Sequence, residues 1–191
     1  MKKKIIITGG LGYIGTELCK LYSGKSWHHK IIVIDNRFIS ERVNQIRNWN
    51  MEFIQGDILD KNLVKKYCED ADIIHHLAGV TDVPRTKNDS SAEQDKKIRE
   101  VGENGTQNIL DVASDKCKII FPSTHVVYEG IKDIKTNIEE NEKTKPILSY
   151  STSKAINEVQ LKKSGKNYII LRLGSVYGFS TDSMRIDIMP N

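Results

Sequence analysis

Tyr150 and Lys154 stand four residues apart in Tyr150-Ser151-Thr152-Ser153-Lys154, at the head of a stretch that reads as helix to about Lys163. Positions i and i+4 share one helix face, so the phenol and the ammonium enter the same space. A neighbouring cation favours phenolate and lowers a tyrosine from its usual pKa of about 10. Such a phenol can take a proton from an alcohol while a hydride leaves the same carbon. The spacing by itself is met equally by an exposed Tyr and Lys on a surface helix. A second group opens the chain, where Thr8-Gly9-Gly10-Leu11-Gly12-Tyr13-Ile14-Gly15 follows Ile5-Ile6-Ile7. Asp35, twenty positions beyond Gly15, closes a second apolar run, Ile31-Ile32-Val33-Ile34. Glycines there let the backbone approach a pyrophosphate, the next helix offers free N–H groups, and the acid can accept from ribose hydroxyls. Glycines also mark ordinary turns. The flanking strands and the acid together point to a dinucleotide. In a third group, Phe121-Pro122-Ser123-Thr124-His125-Val126-Val127-Tyr128, a strand end runs into a loop. Ser123 or Thr124 can meet a substrate oxygen or a nicotinamide, or close an ST-type turn on its own backbone.

The elements that must position these groups alternate between strand and helix, the pattern of a parallel sheet built from βαβ units. The apolar runs predict strands near 4–8, 30–34, 51–55, 72–76, 117–121 and 167–172. In the first helix, Ile14, Leu18 and Leu21 mark one face. A longer helix is expected near 92–113, where Ile98, Val101, Gly105, Ile109 and Val112 recur at steps of three and four. Its Gly102 and Gly105 cost helical propensity, which close packing against the sheet would explain. Residues 129–146, rich in Lys, Glu, Asp and Asn, read as a solvated loop.

With 191 residues, 38% hydrophobic and 28% charged, the chain has the size and balance of one sizeable soluble domain. The formal charge of +4 is small and scattered, which gives no case for a nucleic-acid partner. Cys19, Cys68 and Cys117 are far apart without metal or redox spacing and read as reduced thiols of a cytoplasmic protein. The apolar run after Met1-Lys2-Lys3-Lys4 breaks at Thr8, too short for export or a membrane span. His28 and His29 read as surface-turn residues. Of His75 and His76, one is expected in the core and one near the cofactor. No metal site is expected.

The three groups in this order resemble the extended short-chain dehydrogenase/reductase family, in its branch of NAD-dependent nucleotide-sugar epimerases and dehydratases. The resemblance covers essentially the whole chain. It includes Asp57-Ile58, His76-Leu77-Ala78-Gly79, Asn104-Gly105-Thr106 and Leu171-Arg172-Leu173-Gly174-Ser175-Val176-Tyr177-Gly178. It implies an α/β fold, a Rossmann-type doubly wound parallel sheet in three layers. Gly9, Gly12, Tyr13, Ile14 and Gly15 would form the pyrophosphate turn. Asp35 and Asn36 would hold the adenosine ribose, Asp57 and Ile58 the adenine. Leu77, Ala78, Gly79, Ser123 and Val176 would line the cofactor further along. Tyr150 would be the base, Lys154 would hold the nicotinamide ribose, and Thr124 would orient the substrate hydroxyl. Thr81, His125 and Ser175 fall on the substrate side. A carboxylate at Asp35 would repel a 2′-phosphate, favouring NAD over NADP, with Arg37 close by.

Departures from the family pattern narrow the chemistry. Sugar 4,6-dehydratases of this family carry an Asp-Glu pair after the catalytic threonine, where this chain has His125 and Val126. Epimerisation of a nucleotide-diphosphate sugar is therefore expected, with dehydration or ketoreduction on the same scaffold as alternatives. His125 reads either as a substrate contact or as a plain loop histidine. Ser175 replaces a common substrate-binding Asn, Phe179 a usual Pro, and Val101 a customary Asn. Family members usually continue through a smaller C-terminal domain that grips the substrate. Residues 1–179 then form the cofactor domain and 180–191 the entry to that region. A non-catalytic NAD-binding module is the reading of another class. Dimers built on two helices per subunit are common in the family, so a homodimer is expected from resemblance.

Overall fold

The computed structural model describes residues 2–80, 91–132 and 136–178. Six parallel strands are β1 (Lys4–Thr8), β2 (Lys30–Asp35), β3 (Glu52–Gln55), β4 (Ile73–His76), β5 (Lys118–Thr124) and β6 (Asn167–Leu173). They lie in the order β3-β2-β1-β4-β5-β6, with every pairing parallel. All six expected strands are present, with ends within a few residues of those read from the sequence. The helices are α1 (Tyr13–Ser23), α2 (Ser40–Asn48), α3 (Lys61–Cys68), α4 (Ala92–Arg99), α5 (Gly105–Val112) and α6 (Ser149–Lys163). A π-helical turn, Glu100–Asn104, joins α4 to α5. The doubly wound, three-layer architecture expected from the sequence is what forms.

Unbroken apolar strands are required because the central strands are covered on both sides. Alternate residues serve opposite layers. Ile6, Ile32, Ile34 and Ile74 join the core that includes Val64, Ile109, Phe121 and Leu161. Ile5, Ile7, Ile31 and Val33 join the other, with Leu11, Cys19, Val43 and Ile46. The thiols of Cys19 and Cys68 are buried and pushed up to about 12, and that of Cys117 to about 11, again by burial. Side chains cap two helices: Asp60 accepts from Asn62 and Leu63 at α3, and Ser91 from Gln94 at α4. At the sheet edge, Ile169 and Leu171 of β6 stay exposed, whereas Tyr168 and Ile170 pack inward.

Two expectations about helix faces need correction. The buried side of α1 is Gly15, Thr16 and Cys19, while Ile14 and Leu21 are exposed and only Leu18 packs partly. Small residues win because α1 starts hard against the glycine turn: a Cβ on Gly15 would lie 2.4 Å from the Gly9 carbonyl oxygen. Gly102 and Gly105 do permit close packing, but not against the sheet. A Cβ on Gly102 would sit 2.3 Å from Ser153 Oγ on α6, and one on Gly105 2.3 Å from Ile58 Cδ1 in the β3–α3 loop.

Candidate active site

All strands run the same way, so their carboxyl ends lie along one edge of the sheet, the edge where open α/β sheets hold ligands. The glycine turn leaves β1, Asp35 ends β2, Leu77–Gly79 leaves β4, Thr124 ends β5 and Gly174–Gly178 leaves β6. Gly9 takes φ +70, and its N–H donates to the Ile34 carbonyl at 2.7 Å. A Cβ there would be 2.7 Å from Ala78 N, so the exits of β1 and β4 touch backbone to backbone. Thr8 cements them: its carbonyl accepts from Leu77 N at 3.1 Å and its hydroxyl oxygen from Ala78 N at 3.1 Å. Helix α1 is entered through Gly12, extended at φ −74, with no side-chain cap and no acid in the first turn. Its first N–H groups therefore form an anion cradle with nothing negative of its own inside. Tyr13, first residue of α1, donates through Oη to the Gly178 carbonyl at 2.7 Å.

Asp35 is buried and partly used by the protein itself. Oδ2 accepts from Leu11 N at 2.9 Å, and Oδ1 from Arg37 N at 3.0 Å and Arg37 Nε at 3.3 Å. Each carboxylate oxygen has two acceptor positions, so these bonds leave one on Oδ2 for a ribose hydroxyl. Arg37 is thereby folded onto Asp35 in an ion pair. Asn36 donates to Asp57 Oδ2 at 3.3 Å, and Asp57 Oδ1 accepts from Leu59 N at 2.9 Å, so these expected adenosine-side residues stand together. The Ile58 side chain, by contrast, is in the core beneath Gly105, and its carbonyl accepts from Asn108 at 3.0 Å. Only its main chain is left to face a base. Over β4, a Cβ on Gly79 would meet nothing within 4 Å among the described residues, which leaves open ground among them there.

Beneath that ground lies a residue set missed in the sequence. His76 is sealed between Thr8 Oγ1, 2.9 Å from Nδ1, and Thr106 Oγ1, 3.0 Å from Nε2. Burial, with a smaller push from the Lys154 charge, pulls it down to about 3, so the ring is neutral and the three side chains act as a fixed strut. His75 points to the opposite layer, 2.9 Å from Tyr22 Oη, and burial pulls it down to about 4. Of the two histidines, His76 is the one below the cofactor edge.

On α6, Lys154 donates from Nζ to the Pro122 carbonyl at 2.8 Å and lies 4.4 Å over the Phe121 ring. The same ammonium is 5.9 Å from the Tyr150 ring centroid, so the i and i+4 pair does share one space. Burial pulls Lys154 down to about 8. Thr124 is buried at the end of β5. Its Oγ1 accepts from Val126 N at 3.3 Å, closing the 3₁₀ turn His125–Tyr128 while keeping a proton to donate. Ser123 does not face the edge at all: its hydroxyl donates to Glu158 Oε1 at 2.6 Å inside the protein. His125 is exposed, with Nδ1 3.2 Å from the Leu173 carbonyl. Ser175 is exposed and Val176 half-buried, beyond β6. Thr81, Phe179 and residues 180–191 lie outside the described residues. Among the described residues no His, Cys, Asp and Glu gather as a metal site, and no helix is long and apolar enough to cross a membrane.

This order of strands, with a capless glycine turn after the first and an acid closing the second, defines a Rossmann dinucleotide fold. The chain belongs to the NAD dependent epimerase/dehydratase family, whose model matches residues 5–189. It is 32% identical to a dTDP-D-glucose 4,6-dehydratase of Dictyostelium discoideum, over 92% of this chain and 44% of that protein. It is 33% identical to a CDP-paratose 2-epimerase of Salmonella typhi, over 74% of this chain and 42% of that one. Among solved structures it resembles the enzyme WbmH of Bordetella bronchiseptica in complex with NAD+, with 26% identity, TM-score 0.77, and 92% and 57% of the two chains covered. A UDP-N-acetylglucosamine 4-epimerase from Methanobrevibacter ruminantium superposes at TM-score 0.72 with 26% identity, over 90% and 55%. The chain spans about half the length of the curated relatives it matches.

Proposed function

We propose that this chain binds NAD and supplies the acid–base groups of an enzyme that epimerises a nucleotide-diphosphate sugar. The observation that carries the reading is the placing of Lys154. It is bonded to Pro122, two residues before Thr124, and shares its space with Tyr150, on the sheet edge that holds the glycine turn. The cofactor fits what is present: a cradle too tight for side chains at Gly9 and Gly15, an uncapped helix start, and one vacant acceptor on Asp35. When bound, NAD supplies a hydride acceptor. Tyr150 then takes the hydroxyl proton of the carbon being oxidised and returns it when that carbon is reduced on the other face. Lys154 favours the phenolate, and Thr124 has a hydroxyl proton with which to orient the substrate oxygen.

Epimerisation is preferred to 4,6-dehydration because no carboxyl group follows Thr124; His125 is turned to the Leu173 carbonyl and Val126 is apolar. The relatives include both reactions, so products decide. UDP-, GDP-, CDP- and dTDP-sugars are incubated with the protein and NAD, and products are separated by chromatography. An epimer without net redox change is expected; a 4-keto product or accumulating NADH would reject epimerisation. Tyr150→Phe should lower turnover at least about a hundredfold and leave NAD affinity within about twofold. A variant with full turnover would remove Tyr150 from the mechanism. A homodimer through α5 and α6 is part of the proposal. Their outer faces carry a groove of about 490 Å³ that includes Ala155, Ile156, Val159 and Gln107.

A further inference from the structure

Behind the edge residues lies a charged cluster that the proposed reaction does not use. Glu158 is buried on α6, one turn after Lys154 and two after Tyr150. Its Oε1 accepts from Ser123 at 2.6 Å and from Arg172 Nε at 2.9 Å, and its Oε2 from Arg172 Nη2 at 2.6 Å. Arg172 is the β6 residue in register with Ser123 of β5. The remaining guanidinium nitrogen, Nη1, donates to the Tyr128 hydroxyl and, at 2.8 Å, to the Glu140 carbonyl. Lys162, one further turn along α6, completes the cluster at 3.7 Å from Glu158 Oε2. Burial pushes Glu158 upward, but the Arg172 and Ser123 hydrogen bonds outweigh it and hold the carboxyl below its usual range. The pair is therefore charged on both sides.

The arrangement pins α6 to β5 at two successive turns. Lys154 holds the carbonyl of Pro122, and Glu158 holds the hydroxyl of Ser123. Thr124 is the next residue of β5, and Tyr150 the preceding turn of α6. A planar, forked guanidinium fixes both distance and rotation of its carboxylate, which a single-point ammonium does not. A buried ion pair often adds no stability over apolar packing of the same volume, so geometry is the role argued for this one. We infer that Glu158 and Arg172 are positioning residues, a bidentate clamp through Ser123 that sets the rotation of α6 so that Tyr150 and Lys154 meet Thr124. Neither touches the reacting atoms. The inference rests on the reading of Tyr150 as the base.

The test needs no substrate. Phenolate absorbance of the whole chain is titrated against that of the same chain carrying Tyr150→Phe, and the difference gives the ionisation midpoint of Tyr150. Arg172→Lys keeps the charge and removes the fork. NAD affinity by calorimetry and thermal unfolding are measured alongside. With the clamp as inferred, Arg172→Lys binds NAD within about twofold of wild type while the Tyr150 midpoint rises by about half a unit or more, as the phenol turns away from the Thr124 hydroxyl proton on β5 that favours its charged form. An unchanged midpoint in a folded, NAD-binding variant overturns the clamp and leaves a merely structural ion pair. Should Arg172→Lys not fold, Ser123→Ala removes one bond of the same set and is judged by the same two outcomes. Failure of the underlying reading looks different: the wild-type chain itself would then show no affinity for NAD, or a Tyr150 midpoint no lower than that of an exposed tyrosine.

Discussion

Gly15→Ala isolates the contact on which the cofactor edge depends. The added Cβ would lie 2.4 Å from the Gly9 carbonyl oxygen, 2.7 Å from Gly10 Cα and 2.9 Å from the Gly10 carbonyl carbon, all main-chain atoms. Ordinary contact begins near 3.4 Å, so α1 must back away from the turn by about 1 Å. No rotamer change can relieve it. Inserting a methyl into a packed site costs about 1–3 kcal/mol. Ala in place of a helical Gly returns about 0.5–1 kcal/mol, so the net loss lies between about 0 and 2.5 kcal/mol, near 1 kcal/mol at the middle of both ranges. In a domain of this size each kcal/mol lowers the melting temperature by about 2–4 °C. The retreat also carries the first N–H groups of α1 away from the pyrophosphate, so NAD affinity should fall at least about tenfold. Gly24→Ala is the control: that residue is helical at φ −68 and a Cβ meets nothing within 4 Å. It should raise stability by about 0.4–1 kcal/mol and leave NAD binding unchanged. Calorimetric unfolding and NAD titration of both variants check the reasoning. A Gly15→Ala chain as stable as wild type with the same affinity would refute it.

Acid should unfold the chain through its buried histidines. The folded pKa of His76 is about 3 and of His75 about 4, both well below the ordinary value of 6.5. The unfolded chain therefore binds protons that the native state refuses, and stability falls as pH drops from about 6.5 towards 3. Denaturant titrations across that range should show a shallower pH dependence for His76→Gln than for wild type; equal slopes would contradict the burial of a neutral ring. Tyr13→Phe deletes the hydrogen bond to the Gly178 carbonyl and should cost about 0.5–1.5 kcal/mol. The same change should speed chymotryptic cleavage after the exposed Tyr177. Cleavage at the wild-type rate would show that the bond does not hold the segment.

Much of this arrangement was written in local pattern. The six strands could be read because buried parallel strands need unbroken apolar runs, and Asp35 because it ends such a run after a glycine turn. The Tyr150–Lys154 pair was equally plain from helical spacing. What escaped reading is set by contacts between distant elements. Thr8, His76 and Thr106 are 68 and 30 residues apart in sequence, and only the packing of β1, β4 and α5 makes them a strut. Ser123 looks like an edge residue until Glu158, 35 residues on, claims its hydroxyl. The face of α1 was misread because size usually marks burial, whereas closeness to the Gly9 turn selects the smallest side chains. Gly102 and Gly105 were rightly linked to tight packing, with neighbours that no periodicity reveals.

The π-helical turn between α4 and α5 has a consequence for how this fold can change. Within it, the Gly102 carbonyl accepts from Asn157 Nδ2 at 3.0 Å and the Glu103 carbonyl from Gln160 Nε2 at 3.1 Å, both reaching across from α6. Wide winding turns these oxygens outward, where amide side chains of another helix can use them. Removing a single residue there would restore regular winding and leave α4 and α5 near their present phase, because the wide turn already absorbs one residue; what would be lost is the pair of carbonyl oxygens offered to α6. A deletion inside the turn would therefore cost bonds to α6 rather than angular phase, whereas one in the regular winding between Ile98 and the turn would swing Ile98 from the interior by about 100°.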